Sequence, residues 1–220
     1  MGGKAAFWPV TLREQGPFGV LRLRPLVRSD EGVWSRMRSA NRDWLQPWEA
    51  TTPPPCVGAT SLNSHSENRN SDGLQVTFRQ FLQTLNSQAK AGVLLPWAIE
   101  LNGQIIGSLT VASITYGSLH QAVIGYFISK QVAGRGIMPT AVAMAVDYLL
   151  WYRCIHRVEI NIRPENHNSL RVVEKLGFRD EGIRKRYLHI NGKWADHRAY
   201  ALTSEEMPEG LLPRLRATWI

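Results

Sequence analysis

Cysteine is nearly absent. The 220 residues hold two, Cys56 and Cys154. Neither belongs to a CxxC pair or lies beside a histidine cluster at ligand spacing. That excludes a disulfide framework and a thiolate metal centre, and it fits free thiols in a reducing cytoplasm. Long hydrophobic runs are missing too: no stretch reaches the ~18 apolar residues of a membrane span. The opening MGGKAAFWPV lacks the apolar centre and small-residue cleavage site of a secretory leader. Acidic residues are few, 18 against 26 Lys and Arg, a net charge of +8. The basic residues gather in 22–42 and 153–198. Solvated surface, bound phosphates and a ribosomal or RNA partner all predict such patches, so charge does not separate them. There is no internal repeat, and no aromatic run like that of RNA-recognition sheets. The length suits one domain with a sizeable core.

What is present is organised around residues 124–151, IGYFISKQVAGRGIMPTAVAMAVDYLLW. Residues 124–129 are short, apolar and aromatic, the signature of a buried strand. Gly134 and Gly136 flank Arg135. From Ile137 an Ala- and Leu-rich helix runs about four turns, with Pro139 tolerated early because that N–H has no helical partner anyway. Glycines before a helix serve a sharp turn, or they let backbone N–H groups approach an anion at the helix's positive end. The loop does not end in the G-K-[ST] of a Walker loop. It is not a dinucleotide G-x-G-x-x-G either, since Pro139 takes the third glycine's place.

Along the chain, residues 1–18 read as a loosely ordered lead-in and 19–25 as a half-exposed strand. Ser29 or Asp30 caps a helix to about Arg42. Trp44, Leu45 and Trp48 cluster around Pro47, either as core or as a pocket wall. Residues 51–73 form a long Pro-, Ser- and Asn-rich loop, and 74–90 regain helical spacing. Asn102-Gly103 and Asn191-Gly192 each predict a two-residue hairpin turn. Gly107 marks a bulge or kink. Residues 157–163 alternate as a strand ended by Pro164. Asn166 or Asn168 caps a helix closed by Gly177. The expected class is α/β (α+β): a mostly antiparallel sheet of about seven strands with four helices. The expected divisions are 1–18, a domain over 19–203, and a tail, 204–220, with a short helix near 211–215.

Gln131-Val132-Ala133-Gly134-Arg135-Gly136 fits Q/R-x-x-G-x-G/A. Downstream, Asn166-His167-Asn168-Ser169 precedes Glu174-Lys175-Leu176-Gly177-Phe178. The pair of motifs resembles the GCN5-related N-acetyltransferases, specifically the RimJ/RimL-type branch acting on ribosomal-protein N-terminal alanine. The resemblance covers nearly the whole chain. It implies two parallel strands, 123–129 and 157–163, that splay apart around a thioester.

It also implies acetyl-CoA with its pyrophosphate on the backbone amides of Val132, Gly134, Arg135, Gly136, Ile137 and Met138. Its pantetheine arm would lie along Tyr126, Phe127 and Ile128. Asn166, a donor and acceptor at a strand-to-helix junction, can hold that arm, and Ser169 presents a hydroxyl one turn on. Alone, the two residues also read as a helix cap and a first-turn hydroxyl.

The implied reaction is direct attack of a primary amine in a ternary complex, with no metal. Ser169 would protonate or bond the leaving thiolate, with Tyr126 as another proton donor. An N–H near Phe127 or Ile128 would meet the oxyanion. Asp196, or less readily Glu100, would take the amine's proton. Cys154, with no matched His and Asp, reads as a core thiol rather than a nucleophile.

The acceptor side would be Trp44, Trp48 and the 51–73 loop, with Tyr187 and Trp194. The implied acceptor is the N-terminal peptide of a ribosomal protein, with ribosome association, in a cytoplasmic monomer or homodimer. A small-molecule amine acetyltransferase and a non-catalytic acyl-CoA-binding module are the alternatives.

Overall fold

A computed structural model describes residues 7–54 and 76–219. Cys56 and most of the 51–73 loop lie outside the described residues. Eight strands form one sheet: β1 (Leu12–Gly16), β2 (Gly19–Pro25), β3 (Leu95–Leu101), β4 (Gln104–Thr115), β5 (Gln121–Ile128), β6 (Arg157–Ile162), β7 (Arg179–Ile190) and β8 (Lys193–Thr203). Their spatial order is β1-β2-β3-β4-β5-β6-β8-β7. Every pair is antiparallel except β5 and β6. The helices are α1 (Glu31–Ala40), α2 (Arg42–Leu45), α3 (Phe78–Lys90), α4 (Ile137–Arg153), α5 (His167–Leu176) and α6 (Leu211–Arg216). The expected class holds, with eight strands and six helices described rather than seven and four.

The two NG turns adopt the positive φ angles that their residues permit, at Asn102-Gly103 and Asn191-Gly192. Alternation along the strands then assigns the two faces. Leu21, Leu23, Ile99, Leu109, Ile124, Val158 and Ile160 meet α4, α5 and α6 in the larger core. Leu26, Ala98 and Ile105 meet Trp34 and Met37 of α1 and Leu82 of α3 on the other face. The central helix α4 is buried almost all round, as its unbroken apolar sequence requires.

Part of the expected lead-in is regular structure: residues 12–16 are β1, paired to β2 from Leu12↔Leu23 to Gly16↔Gly19. LREQG has too few apolar residues to read as a strand. Backbone pairing and the Glu14–Arg216 ion pair at 2.6 Å hold it in place. The tail's predicted helix is α6, whose Leu211 and Leu212 N–H groups donate to the Asp147 carboxylate of α4 at 2.6 and 2.9 Å. Asp30 stands at the N-cap of α1, but its side chain makes no cap hydrogen bond there. It accepts from the Val27 N–H and from Arg24. Cys154 is not a core thiol but is exposed, at the left-handed end of α4.

Gly107 lies beside a register shift between β3 and β4. A Cβ there would fall well inside van der Waals contact of the Phe127 carbonyl oxygen. Gly107→Ala should therefore force β4 away from β5 and cost about 1–3 kcal/mol. Denaturant unfolding checks this, and an unchanged midpoint would refute the close approach.

Candidate active site

The parallel pair β5–β6 is joined over three residue pairs only, Gln121↔Arg157, Ala122↔Val158 and Val123↔Glu159. Beyond Val123 the strands part. The register fixes which main-chain groups this exposes. Ser129 donates to the Ile106 carbonyl of β4, and Phe127 lies opposite Ser108 two residues away. In antiparallel pairing the groups alternate sides, so Phe127 bonds to β4. On the other edge, the Arg157 N–H donates to the His120 carbonyl. The even-numbered residues therefore turn toward β6. Tyr126 and Ile128 present their N–H and C=O groups to the gap, whereas Phe127 does not.

The gap opens into a cleft of about 840 Å³, within the range of small-molecule sites. The cleft passes through the sheet. On the α4 side its wall comes from the glycine loop and α5, and on the α1 side from the residues between α1 and Thr51.

On the first side the chain leaves β5 in a short 3-10 turn at Lys130–Val132. Gly134 and Gly136 then take φ of 81° and 78°, a region that favours glycine, and each Cβ position is open space. Val132 donates to the Ser129 carbonyl at 3.2 Å and Ala133 to that of Lys130 at 3.3 Å. Thr140 donates to the Gly136 carbonyl. The N–H groups of Gly134, Arg135, Gly136, Ile137 and Met138 have no partner among the described residues. They form a row of donors at the positive end of a 17-residue helix. Val132, expected in that row, is engaged in the turn instead. Its side chain still lines the cleft, while Arg135 is exposed outside it and the Ile137 side chain is in the core.

Asn166, not Asn168, is the cap of α5: its Oδ1 accepts from the Ser169 N–H at 3.2 Å. Its Nδ2 remains available to the cleft. The Ser169 hydroxyl has no partner among the described residues. The Tyr126 hydroxyl donates to the Ser169 carbonyl at 3.4 Å, and burial pushes its pKa up.

On the second side, Trp44 and Trp48 both line the cleft. The Trp44 indole N–H donates to the Ile128 carbonyl at 3.0 Å. Arg163 stands 5.5 Å from the Trp48 ring centre and donates to the Pro47 carbonyl. The hairpin tip of β7 and β8 fastens this wall. Thr51 donates to the His189 carbonyl, and Asn191 to that of Glu49, both at 2.9 Å. The buried Asn41 ties the two sides together. Its Oδ1 accepts from the Ser129 hydroxyl and the Lys130 N–H at 3.1 and 2.9 Å.

Asp196, Tyr187 and Trp194 do not line the cleft. Asp196 accepts from Lys185 Nζ at 2.9 Å and from the Arg186 N–H at 2.8 Å. The Arg186 N–H first, then Lys185, holds its carboxyl below the usual range. Tyr187 packs edge-on against His197, and Trp194 against His189. Glu100 is buried and held by Arg22 and Arg24.

Sequence reasoning missed Arg38, Glu49, Ser108, Thr110, Asn168, Arg171 and Lys175 at the cleft. Asn168, Arg171 and Lys175 stand at i, i+3 and i+7, the spacing of one helix face, and that signal was readable. Among the described residues, no group of three or more His, Cys, Asp or Glu is placed to hold a metal ion.

Residues 20–179 match the family model described as acetyltransferase (GNAT) domain. The structure is similar to that of Mycobacterium smegmatis RimJ in complex with CoA-disulfide. The TM-score is 0.82 and the identity 36%, over 96% of each chain. A probable N-acetyltransferase of Bacillus subtilis (strain 168) is 41% identical over 103 residues, 47% of this chain and 57% of that protein. The ribosomal protein uS5-alanine N-acetyltransferase of Escherichia coli (strain K12) is 36% identical over 107 residues, 49% of this chain and 55% of that protein. The chain thus spans little more than half the length of these curated relatives.

Asn166→Asp separates cap from ligand contact. The cap oxygen remains while the donor into the cleft is lost. Thermal stability should change by less than about 0.5 kcal/mol. Coenzyme A affinity, read by calorimetry, should fall about tenfold, the worth of one hydrogen bond of ~1.4 kcal/mol. Equal affinity would remove Asn166 from the binding site.

Proposed function

Because the chain belongs to the acetyltransferase (GNAT) domain family, we propose that it transfers an acetyl group from acetyl-CoA to a primary amine. The acceptor we propose is the N-terminal α-amine of a ribosomal protein in the cytoplasm. One observation carries this reading: the row of amides from Gly134 to Met138, without partners among the described residues, stands at the mouth of the gap between β5 and β6. A diphosphate gripped there leaves the attached arm one direction in which to extend, along the exposed edge of β5.

The chemistry of these residues fits acetyl-CoA. Five backbone donors and the positive end of α4 suit the pyrophosphate, and Arg171 and Lys175 add positive charge to that side of the cleft. Free groups on Tyr126 suit an amide of pantetheine, and the Asn166 side chain can bond another. The Ile128 N–H, not that of Phe127, is the donor we assign to the developing oxyanion. Ser169, one turn into α5, is the group we assign to the departing thiolate. Its hydroxyl is free, whereas the Tyr126 hydroxyl is already committed to the Ser169 carbonyl.

The aromatic wall of Trp44 and Trp48 suits a short peptide end. Among the described residues, one carboxylate, Glu49, lines the cleft against three cations, Arg38, Arg171 and Lys175. That balance favours a single ammonium group over a polyamine.

The test is CoA release from acetyl-CoA with an Ala-starting peptide and, separately, with spermidine. Release with the peptide supports the reading. Release with spermidine alone moves the assignment to a small-molecule acetyltransferase, and release with neither leaves an acyl-CoA-binding module. Gly134→Glu would set a carboxylate among the amides meant for phosphate. Acetyl-CoA affinity should drop at least about 100-fold, roughly 2.7 kcal/mol. Unchanged affinity in calorimetry would refute the loop's role.

A further inference from the structure

We infer that Glu49 receives the proton of the attacking amine, an assignment that rests on the acetyl-transfer reading above. The acceptor ammonium must shed a proton before its lone pair can attack, and the sequence offered Asp196 or Glu100 to take it. Neither reaches the cleft, and their neighbours are occupied as well. Glu159 is buried between Arg157 and Arg184, and Glu165 pairs with Arg163 at 3.1 Å. Glu49 is the one carboxylate among the described residues that line the cleft. It lies on the acceptor side, next to Trp48.

Its setting suits the task. The backbone on either side of the carboxylate is clamped: the Glu49 carbonyl accepts from the Asn191 N–H, and Thr51 donates to the His189 carbonyl. Ala50 pairs with Ile190. The side chain therefore starts from a fixed point. One oxygen, Oε1, is held by Arg38 of α1, whose guanidinium stands 5.0 Å from the Phe127 ring centre. The second oxygen has no partner among the described residues. The side chain keeps 39% of its exposure, so an entering amine can reach it. Arg163 after β6 and Lys130 after β5 stand over the Trp48 and Trp44 rings of the same wall, and His189 of β7 bonds Thr51.

In the step, the acceptor ammonium passes one proton to Glu49 Oε2, and the lone pair so freed attacks the acetyl carbonyl. The C–N bond forms and the C–S bond breaks. The thiolate leaves with the electron pair and takes, through the Ser169 hydroxyl, the surplus proton that the nitrogen still carries after attack, and Glu49 returns its own to solvent. One carboxylate also matches one ammonium, so the same group selects for a monoamine terminus.

The test compares wild type, Glu49→Gln and Glu49→Asp in CoA release with acetyl-CoA and an Ala-starting peptide. Glu49→Gln should lower kcat/KM about 100-fold near pH 7, the ordinary worth of a general base. The deficit should shrink to about tenfold or less near pH 9.5, where solvent already leaves the amine unprotonated. Acetyl-CoA affinity should stay within about twofold, because the donor side of the cleft is untouched. Glu49→Asp should recover part of the rate. If Glu49→Gln does not fold, this variant decides alone, by showing a deficit that shrinks with pH. Undiminished kcat/KM in Glu49→Gln overturns the inference while leaving acetyl transfer intact. A deficit constant with pH and matched by Arg38→Gln also overturns it, since Glu49 would then only fasten Arg38. A wild type that binds acetyl-CoA and releases CoA with no amine sinks both readings.

Discussion

The molecule depends on a pairing that stops. β5 and β6 share three residue pairs, and then each strand commits to its other neighbour. A strand edge left open inside a protein is costly, because its N–H and C=O groups have no partner. On β5 the cost falls on the even-numbered residues after Val123. One of the freed carbonyls, Ile128, is satisfied by the Trp44 indole. The rest face a cleft that water or a ligand can enter. The register thus selects which atoms of the strand remain for binding, and it selects Tyr126 and Ile128 over Phe127.

Charge is arranged with the same economy. The chain has an excess of cations, yet its buried acids are not left to solvent. Glu100 holds Arg22 and Arg24 on one side of the sheet. Glu159 holds Arg157 and Arg184 near the splay. Burial pushes the Glu159 carboxyl up, and bonds from Arg184, Asn161 and Arg157 more than offset it, holding it below the usual carboxylate range. Removing Glu100 would take from Arg22 its carboxylate partner, and removing Glu159 would do the same to Arg184, so these residues are poor choices for a proton that must come and go. The surplus cations that remain at the cleft, Arg171 and Lys175, lie on the side where an anion fits.

Much of this was legible in the sequence, for identifiable reasons. Alternation and the two NG turns placed β3, β4, β7 and β8, because both signals are local. The glycine loop was readable because positive φ restricts the residue type at Gly134 and Gly136. The engaged N–H of Val132 was not readable, since a single 3-10 turn consumes it without any mark in composition. β1 was missed because its stability is borrowed from β2 and from Arg216 at the far end of the chain. Asp196 was a reasonable choice of base from its place in the last hairpin. What a sequence does not reveal is which way a hairpin carboxylate turns, and this one turns to Lys185 and Arg186. Glu49 was visible only as one of two acids in an aromatic segment. Its reach into the cleft follows from clamping by residues about 140 positions away.

That clamp has a consequence for biosynthesis. The tryptophan wall belongs to the first quarter of the chain, but its anchors, His189, Asn191 and Gly192, belong to the last. During translation the segment around Trp44 and Trp48 leaves the exit tunnel long before anything exists to hold it. Contacts of such separation close late and slowly. The glycine-loop side of the cleft can therefore be assembled while the tryptophan side still waits for the final hairpin. A nascent chain would gain its grip on one substrate before it could use the other.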